Sequence, residues 1–221
     1  MSDSLARLPN SLYSAAQVRQ LDSLAIKKFG CSGSDLMQLA AKAAFLDILA
    51  RWPKTQFLRI FVGGGNNAGD GFLCAVLAQE RGILCEVIIV GDLSRLGPGA
   101  SSAYQKAKLN NVKMLEFEEF LALPVATQEH VVAVDALLGT GLDRPVTGKF
   151  ARAIEILNST LAPVVAIDIP SGLSADSGMP LGTAVEADLT VTFIGLKRGM
   201  LTGHGRDYCG EIVFHDLGIP L

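Results

Sequence analysis

The chain has 221 residues, 49% of them hydrophobic, and a formal net charge of −3, with a mean hydropathy of +0.36. These values suit one domain with a large core. They argue against a nucleic-acid partner, which demands clustered Lys and Arg, and no apolar run reaches the ~18 residues of a membrane span.

Residues 1–10 carry Asp3 and Arg7 and no apolar centre, so they do not read as a secretory signal. Residues 1–13 are expected to be a flexible extension of a single domain covering 1–221. Ser14 to Gln17 reads as a capping box. Val18, Leu21, Ala25 and Phe29 then recur at helical spacing, and Gly30 is expected to stop that helix. A second helix begins near Ser34, with Leu36, Leu39, Ala40, Ala43 and Leu46 on one side, and ends at Trp52-Pro53. The chain then alternates. Strands are predicted over 57–62, 85–90, 131–135 and 164–168, and helices over 71–80, 102–109 and 150–159. Two further strands, 189–194 and 211–215, close the chain, and 93–100 reads as a loop. Near-continuous Val, Ile and Ala strands are the mark of a sheet covered by helices on both faces. The expected fold is therefore a Rossmann-like, three-layer α/β sandwich with a mostly parallel central sheet.

Cys31, Cys74, Cys85 and Cys209 are far apart and form no Cys-x-x-Cys. They read as small core residues in a reducing, cytoplasmic setting. His130, His204 and His215 lack zinc-ligand spacing.

In open parallel sheets, ligands bind at the carboxyl ends of the strands. Three strands lead into polar, glycine-containing segments: Gly65-Asn66-Asn67-Ala68-Gly69-Asp70-Gly71, Asp135-Ala136-Leu137-Leu138-Gly139-Thr140-Gly141, and Asp168-Ile169-Pro170-Ser171-Gly172. The first reads as a turn that presents backbone N–H groups and a helix N-terminus to an anion. It carries no Lys-Ser or Lys-Thr, so it is not a P-loop, which argues against a kinase or transferase. Taken singly, Asp70 reads as an acidic residue of a helix's first turn. Asp135 and Asp168 likewise read as loop caps, and Gly139, Thr140 and Gly141 as turn residues. Jointly, Asp70, Asp135 and Asp168 are expected at one sheet edge. A cation, a ribose diol or an acid–base role would each compensate their charge. Lys197 follows the strand over 189–194 and reads either as a partner for a phosphate or carboxylate or as a solvated loop charge. Arg144 and Arg206 are weighed as phosphate contacts. No His is placed to activate Ser171, so covalent acyl chemistry is disfavoured.

With Gly195-Leu196-Lys197-Arg198-Gly199 and the closing Gly210-Glu211-Ile212-Val213 and Leu217-Gly218-Ile219-Pro220, these motifs resemble the YjeF N-terminal domain family, the NAD(P)HX epimerases. The resemblance runs from about Ser14 onward. It has two departures: Ala68 stands where the family has Gly, and Gln38 where it has Glu. The resemblance implies an NAD(P)H-hydrate epimerase that interconverts the R and S epimers of NADHX and NADPHX in nicotinamide cofactor repair. It implies substrate binding by Asn66, Asn67, Ala68, Gly69, Asp70, Gly139, Thr140, Gly141, Leu142, Asp143, Arg144, Pro145, Asp168 and Lys197. It also implies a potassium ion held by Asn67, Asp135 and Ser171, and Asp168 as the proton-transferring catalytic residue. The implied partners are an NAD(P)H-hydrate dehydratase, fused or separate, and a second copy of the chain. The alternative is a non-catalytic nucleotide-binding or protein-interaction scaffold of the same fold.

Overall fold

A computed structural model describes residues 8–29, 32–124 and 129–219. Two helices come first, α1 (Ala15–Phe29) and α2 (Gly33–Arg51). The Ser14 box forms as expected: the Gln17 N–H donates to Ser14 Oγ, and the Ser14 N–H donates to Gln17 Oε1. Gly30, expected to end α1, lies outside the described residues, as do Cys31 and Pro220. A second capping box, Ser32 with Asp35, starts α2. Leu39 and Leu46, expected on its inner side, are exposed, and the inner side is Leu36, Ala40, Ala41, Ala44, Phe45 and Ile48. Small alanines let α2 lie close to its neighbours, and that close approach sets which side faces in.

The sheet strands are β1 (Phe57–Val62), β2 (Leu84–Ile89), β3 (Lys113–Glu116), β4 (Val131–Ala136), β5 (Val164–Ile167), β6 (Leu189–Phe193) and β7 (Glu211–His215). All pair in parallel, in the order β3-β2-β1-β4-β5-β6-β7. The connecting helices are α3 (Asn66–Glu80), α4 (Pro98–Leu109), α5 (Phe117–Ala122), α6 (Gly148–Ser159) and α7 (Gly205–Cys209). Residues of α2, α3 and α4 share one core with Leu58, Ile60 and Val62, while Phe117 and α6 share another with Phe61 and Ile88. Successive strand residues thus face opposite layers, and the expected three-layer α/β sandwich is observed. The chain order reverses between β1 and β4, the switch point where such sheets open a ligand crevice.

Several boundaries differ from expectation, each for a physical reason. Helix α3 begins at Asn66, five residues before the predicted 71, because Asn66 to Asp70 are helix and not turn. Helix α4 begins at Pro98, where a proline at the first position suits a helix, so only the first part of 93–100 is a connection. Strand β3 was not expected. It is a short edge strand with exposed Lys113 and Glu116 and carries little apolar signal. It is secured by charge: Glu86 of β2, 3% exposed, accepts from Arg59 Nε of β1 at 2.8 Å and from Lys113 Nζ of β3 at 2.9 Å. Burial pushes the Glu86 carboxyl up, but these two bonds outweigh it and hold it below its ordinary value. Of residues 1–13, the first seven lie outside the described ones. From there the chain is tied down: the Tyr13 N–H donates to Leu196 O and the Arg198 N–H to Tyr13 O, both at 2.9 Å.

The glycines of α3 serve close packing. A Cβ at Gly71 would stand 2.8 Å from Ala136 Cβ and 2.9 Å from Val62 Cγ1, and one at Gly69 would overlap Met37. Ala68 sits in the helix body, fully buried, where alanine is at ease. Gly71→Ala is expected to cost about 1–3 kcal/mol by overpacking. Ala68→Gly, which restores the family residue, is expected to cost about 1 kcal/mol of helix stability rather than gain any. Thermal melts of the two variants check both.

Candidate active site

A cleft of about 910 Å³ opens at the carboxyl ends of the central strands, roofed by α1 and α2. Of the predicted site residues, Asn66, Asn67, Asp70, residues 139–144, Asp168 and Lys197 line it. Ala68 and Gly69 do not, being buried in the body of α3, and Pro145 lies outside the lining. Arg144 faces the cleft and Arg206 does not. The α3 N-cap, Gly65, brings no side-chain bond to the first N–H groups of the helix, which leaves them for a ligand.

The three aspartates do not form one cluster. Asp135, at the end of β4 and fully buried, turns to Ser171. Its Oδ2 accepts from the Ser171 N–H at 2.7 Å, and its Oδ1 from Ser171 Oγ at 2.6 Å and the Leu137 N–H at 3.1 Å. Burial nevertheless pushes Asp135 up to about 6, because these bonds only partly offset desolvation. Asn67 lies against the same loop, its Nδ2 donating to Leu138 O at 3.2 Å, while its Oδ1 is buried with no partner. Asn67 Oδ1, the Ser171 hydroxyl, the Leu138 carbonyl and Asp135 are thus hard oxygen donors gathered in one place. An orphaned buried acceptor among them is what a missing cation leaves behind. These oxygens are the donors that suit a hard alkali or alkaline-earth cation rather than a zinc-type centre.

The second centre is Lys197. Its side chain is fully buried, and its ammonium pairs with Asp168 and donates to Thr192 Oγ1 at 2.9 Å and Phe193 O at 3.2 Å. Two tight turns bring the pair together. The Ile169 N–H donates to Ile167 O around Asp168, at φ 71°, and the Gly195 N–H donates to Phe193 O around Ile194, at φ 62°. Both are γ-turns of the strained hand, at the ends of adjacent strands β5 and β6. They also explain why each strand stops one residue before its predicted end. A β-branched Ile at positive φ is a true outlier and persists only when its surroundings over-determine it.

Two more carboxyls face this pair. Asp70, in the second turn of α3 and not the first, has a buried Oδ1 without a partner. Burial first, then the charge of Asp168, push its carboxyl well above the ordinary value. Asp22 of α1 also lines the cleft, and burial and then Asp168 push it up to about 6, with Lys197 opposing. One ammonium cannot hold three carboxylates ionised side by side. Asp168 is the one in direct contact with Lys197, and burial favours the protonated form of the other two.

The sequence reading missed Asp22, although a carboxylate on the stripe of Val18, Leu21 and Ala25 is a signal in itself. It also missed Arg19, Arg95 and Lys149, which line the cleft and read in sequence as ordinary surface charges. Gln38, the second departure from the family pattern, is exposed on α2 beside Leu39 and Lys42 and lines a different, smaller hollow.

The model of the family described as the YjeF-related protein N-terminus matches residues 33–199. A bifunctional NAD(P)H-hydrate repair enzyme of Coxiella burnetii is 41% identical over 208 residues, covering 94% of this chain and 41% of that protein. A like-named enzyme of Vibrio cholerae is 37% identical, and the chain spans 43% of its length. An NAD(P)H-hydrate epimerase of Limosilactobacillus fermentum is 35% identical over 207 residues, covering 91% of this chain and 94% of that protein. Among solved structures, yeast ynu0 superposes with a TM-score of 0.76 at 21% identity, covering 86% of this chain and 83% of its own. On the match to its model and on relatives of similar length, the chain belongs to the YjeF-related N-terminal domain family.

Proposed function

We propose that this domain is an NAD(P)H-hydrate epimerase, interconverting the R and S epimers of NADHX and NADPHX. The observation that carries the reading is one cleft that joins a bare helix N-terminus to a buried ion pair flanked by two carboxyls that burial pushes up. The names of the relatives support it. The first N–H groups of α3, with Arg95, Arg144 and Lys149 at the cleft, suit the phosphates of a dinucleotide. The nicotinamide end then lies toward Asp168.

The substrate is a hemiaminal, with the hydroxyl on a carbon bonded to the ring nitrogen. When that hydroxyl gains a proton, the nitrogen lone pair expels water and leaves a planar iminium. Water returns on the other face. Asp168 is assigned to this carbon. Its carboxylate offsets the iminium charge and accepts the proton of the returning water, while Lys197 holds it in place. Asn67, Asp135 and Ser171, with Leu138 O, would hold potassium. When bound, the ion would supply fixed positive charge beside the phosphate loop over 139–144. For partners we infer an NAD(P)H-hydrate dehydratase in the cytoplasm and a second copy of the chain, for which Leu24, Ile26, Leu39 and Leu46 stand exposed on α1 and α2.

The test is incubation with one purified epimer, following approach to the mixture by chromatography against the spontaneous rate. Acceleration is expected, and Asp168→Asn should lower it roughly 100-fold or more with nucleotide still bound. No acceleration by a folded, nucleotide-binding wild type would overturn the reading. Replacing potassium by tetramethylammonium should lower Tm and weaken nucleotide binding in the wild type, and should leave an Asn67→Ala variant unmoved. Asp70 gives a stability prediction. Its raised pKa means that the folded chain keeps a proton the unfolded chain releases, so it costs stability as pH rises above the ordinary carboxylate range. Asp70→Asn should therefore gain on the wild type in melts at about pH 8 relative to about pH 4.

A further inference from the structure

An epimerisation through an iminium needs a proton donor as the hydroxyl leaves and an acceptor as water returns. In one direction of the interconversion Asp168, paired with Lys197, serves the second half, and in the other direction the two roles exchange. The donor must be another group at the same cleft, and it must carry a proton it can release.

Helix α1 supplies one. Val18 and Leu21 rest on Gly195, each with an atom 3.2 Å from where a Cβ on that glycine would stand. Gly195 lies between the strained Ile194 and Lys197. Asp22 is one turn beyond Val18 on the same stripe, so the contact that seats the helix also delivers the Asp22 carboxyl to the mouth of the ion pair. It is partly exposed there, in the cleft, whereas Asp70 stands deeper with one oxygen sealed. We infer that Asp22 is the general acid of this site, a catalytic residue that donates the proton to the departing hydroxyl while Asp168 receives the proton of the incoming water. The inference rests on the epimerase reading above.

The step balances. The Asp22 O–H bond breaks as the proton joins the hydroxyl. The C–O bond breaks with its electrons leaving on water, and the nitrogen lone pair forms the C=N bond. Water then adds to the other face and its proton passes to Asp168. Exchange with solvent through the open cleft resets both carboxyls. The charged and titratable groups that face Asp22 are Arg19 on its own helix, Asp168 and Lys197 at the strand ends, and Asp70 on α3. The residues that α2 adds to the cleft, Gly33, Leu36, Met37 and Ala40, carry no charge.

The experiment is the rate against pH, corrected for spontaneous epimerisation, for the wild type, Asp22→Asn and Asp22→Glu. The wild-type turnover should fall about tenfold per pH unit above about pH 6. Asp22→Asn should lose that limb and roughly 100-fold or more in turnover, with nucleotide affinity and Tm no lower. Asp22→Glu should keep the limb. An Asp22→Asn variant with the wild-type rate and profile, while Asp168→Asn is inactive, would overturn the assignment of Asp22 and leave the epimerase standing. A wild type that binds nucleotide without accelerating the reaction would overturn both.

Discussion

The ammonium of Lys197 is buried to its tip, and the upper edge of the sheet is arranged around it. A buried cation is tolerable only when paired and hydrogen-bonded. Here Thr192 and Phe193 of β6 satisfy two of its protons and Asp168 takes the charge. For Asp168 to reach it, the chain leaving β5 must reverse within one residue. For Lys197 to fold back onto its own strand, the chain leaving β6 must do the same at Ile194. Both residues are forced to positive φ, at a cost of order 1–3 kcal/mol each. The ion pair and the two γ-turns therefore act as one device at the ends of the adjacent strands β5 and β6.

That device sorts the carboxyls of the cleft. With Lys197 in direct contact with Asp168, its charge only partly offsets the burial of Asp22 and Asp70, and both carboxyls are pushed up. Asp135 is different in kind. It is hydrogen-bonded at both oxygens by the Ser171 backbone and hydroxyl and by Leu137, and the orphaned Asn67 oxygen belongs to the side chain that bonds the neighbouring Leu138 carbonyl. Two neighbouring strands thus end in aspartates of opposite duty. The β4 aspartate gathers oxygen donors around itself, and the β5 aspartate pairs with Lys197 in the cleft.

The layered fold was legible because its strands are apolar runs separated by helical periodicity, and the site edge because three such strands end in Asp or Gly-rich segments. What escaped is what is set at a distance. Strand β3 depends on a charge ladder from Arg59 through Glu86 to Lys113, a register that no local pattern displays. The early stop of β5 and β6 depends on strain imposed by Lys197. Asp22 lies 43 residues ahead of the first loop motif and meets the site because α1 docks on Gly195.

The glycine-rich run is the part of the chain most easily read as a phosphate loop, and its residues divide otherwise. Gly63 lets β1 end against the Leu137 carbonyl, and Gly69 and Gly71 let α3 press on Met37 and on Ala136. These glycines hold the helix close enough to the sheet for its N-terminus to open into the switch point. The cleft itself is lined by Gly64, Gly65, Asn66, Asn67 and Asp70. Substitution at position 68 then falls where the helix already wants an alanine, and Gln38 falls on a surface the cleft does not share. Both departures from the family pattern leave the acidic chemistry intact. The buried lysine, the strained isoleucine and the two carboxyls that burial pushes up thus meet at one cleft, which neither departure touches.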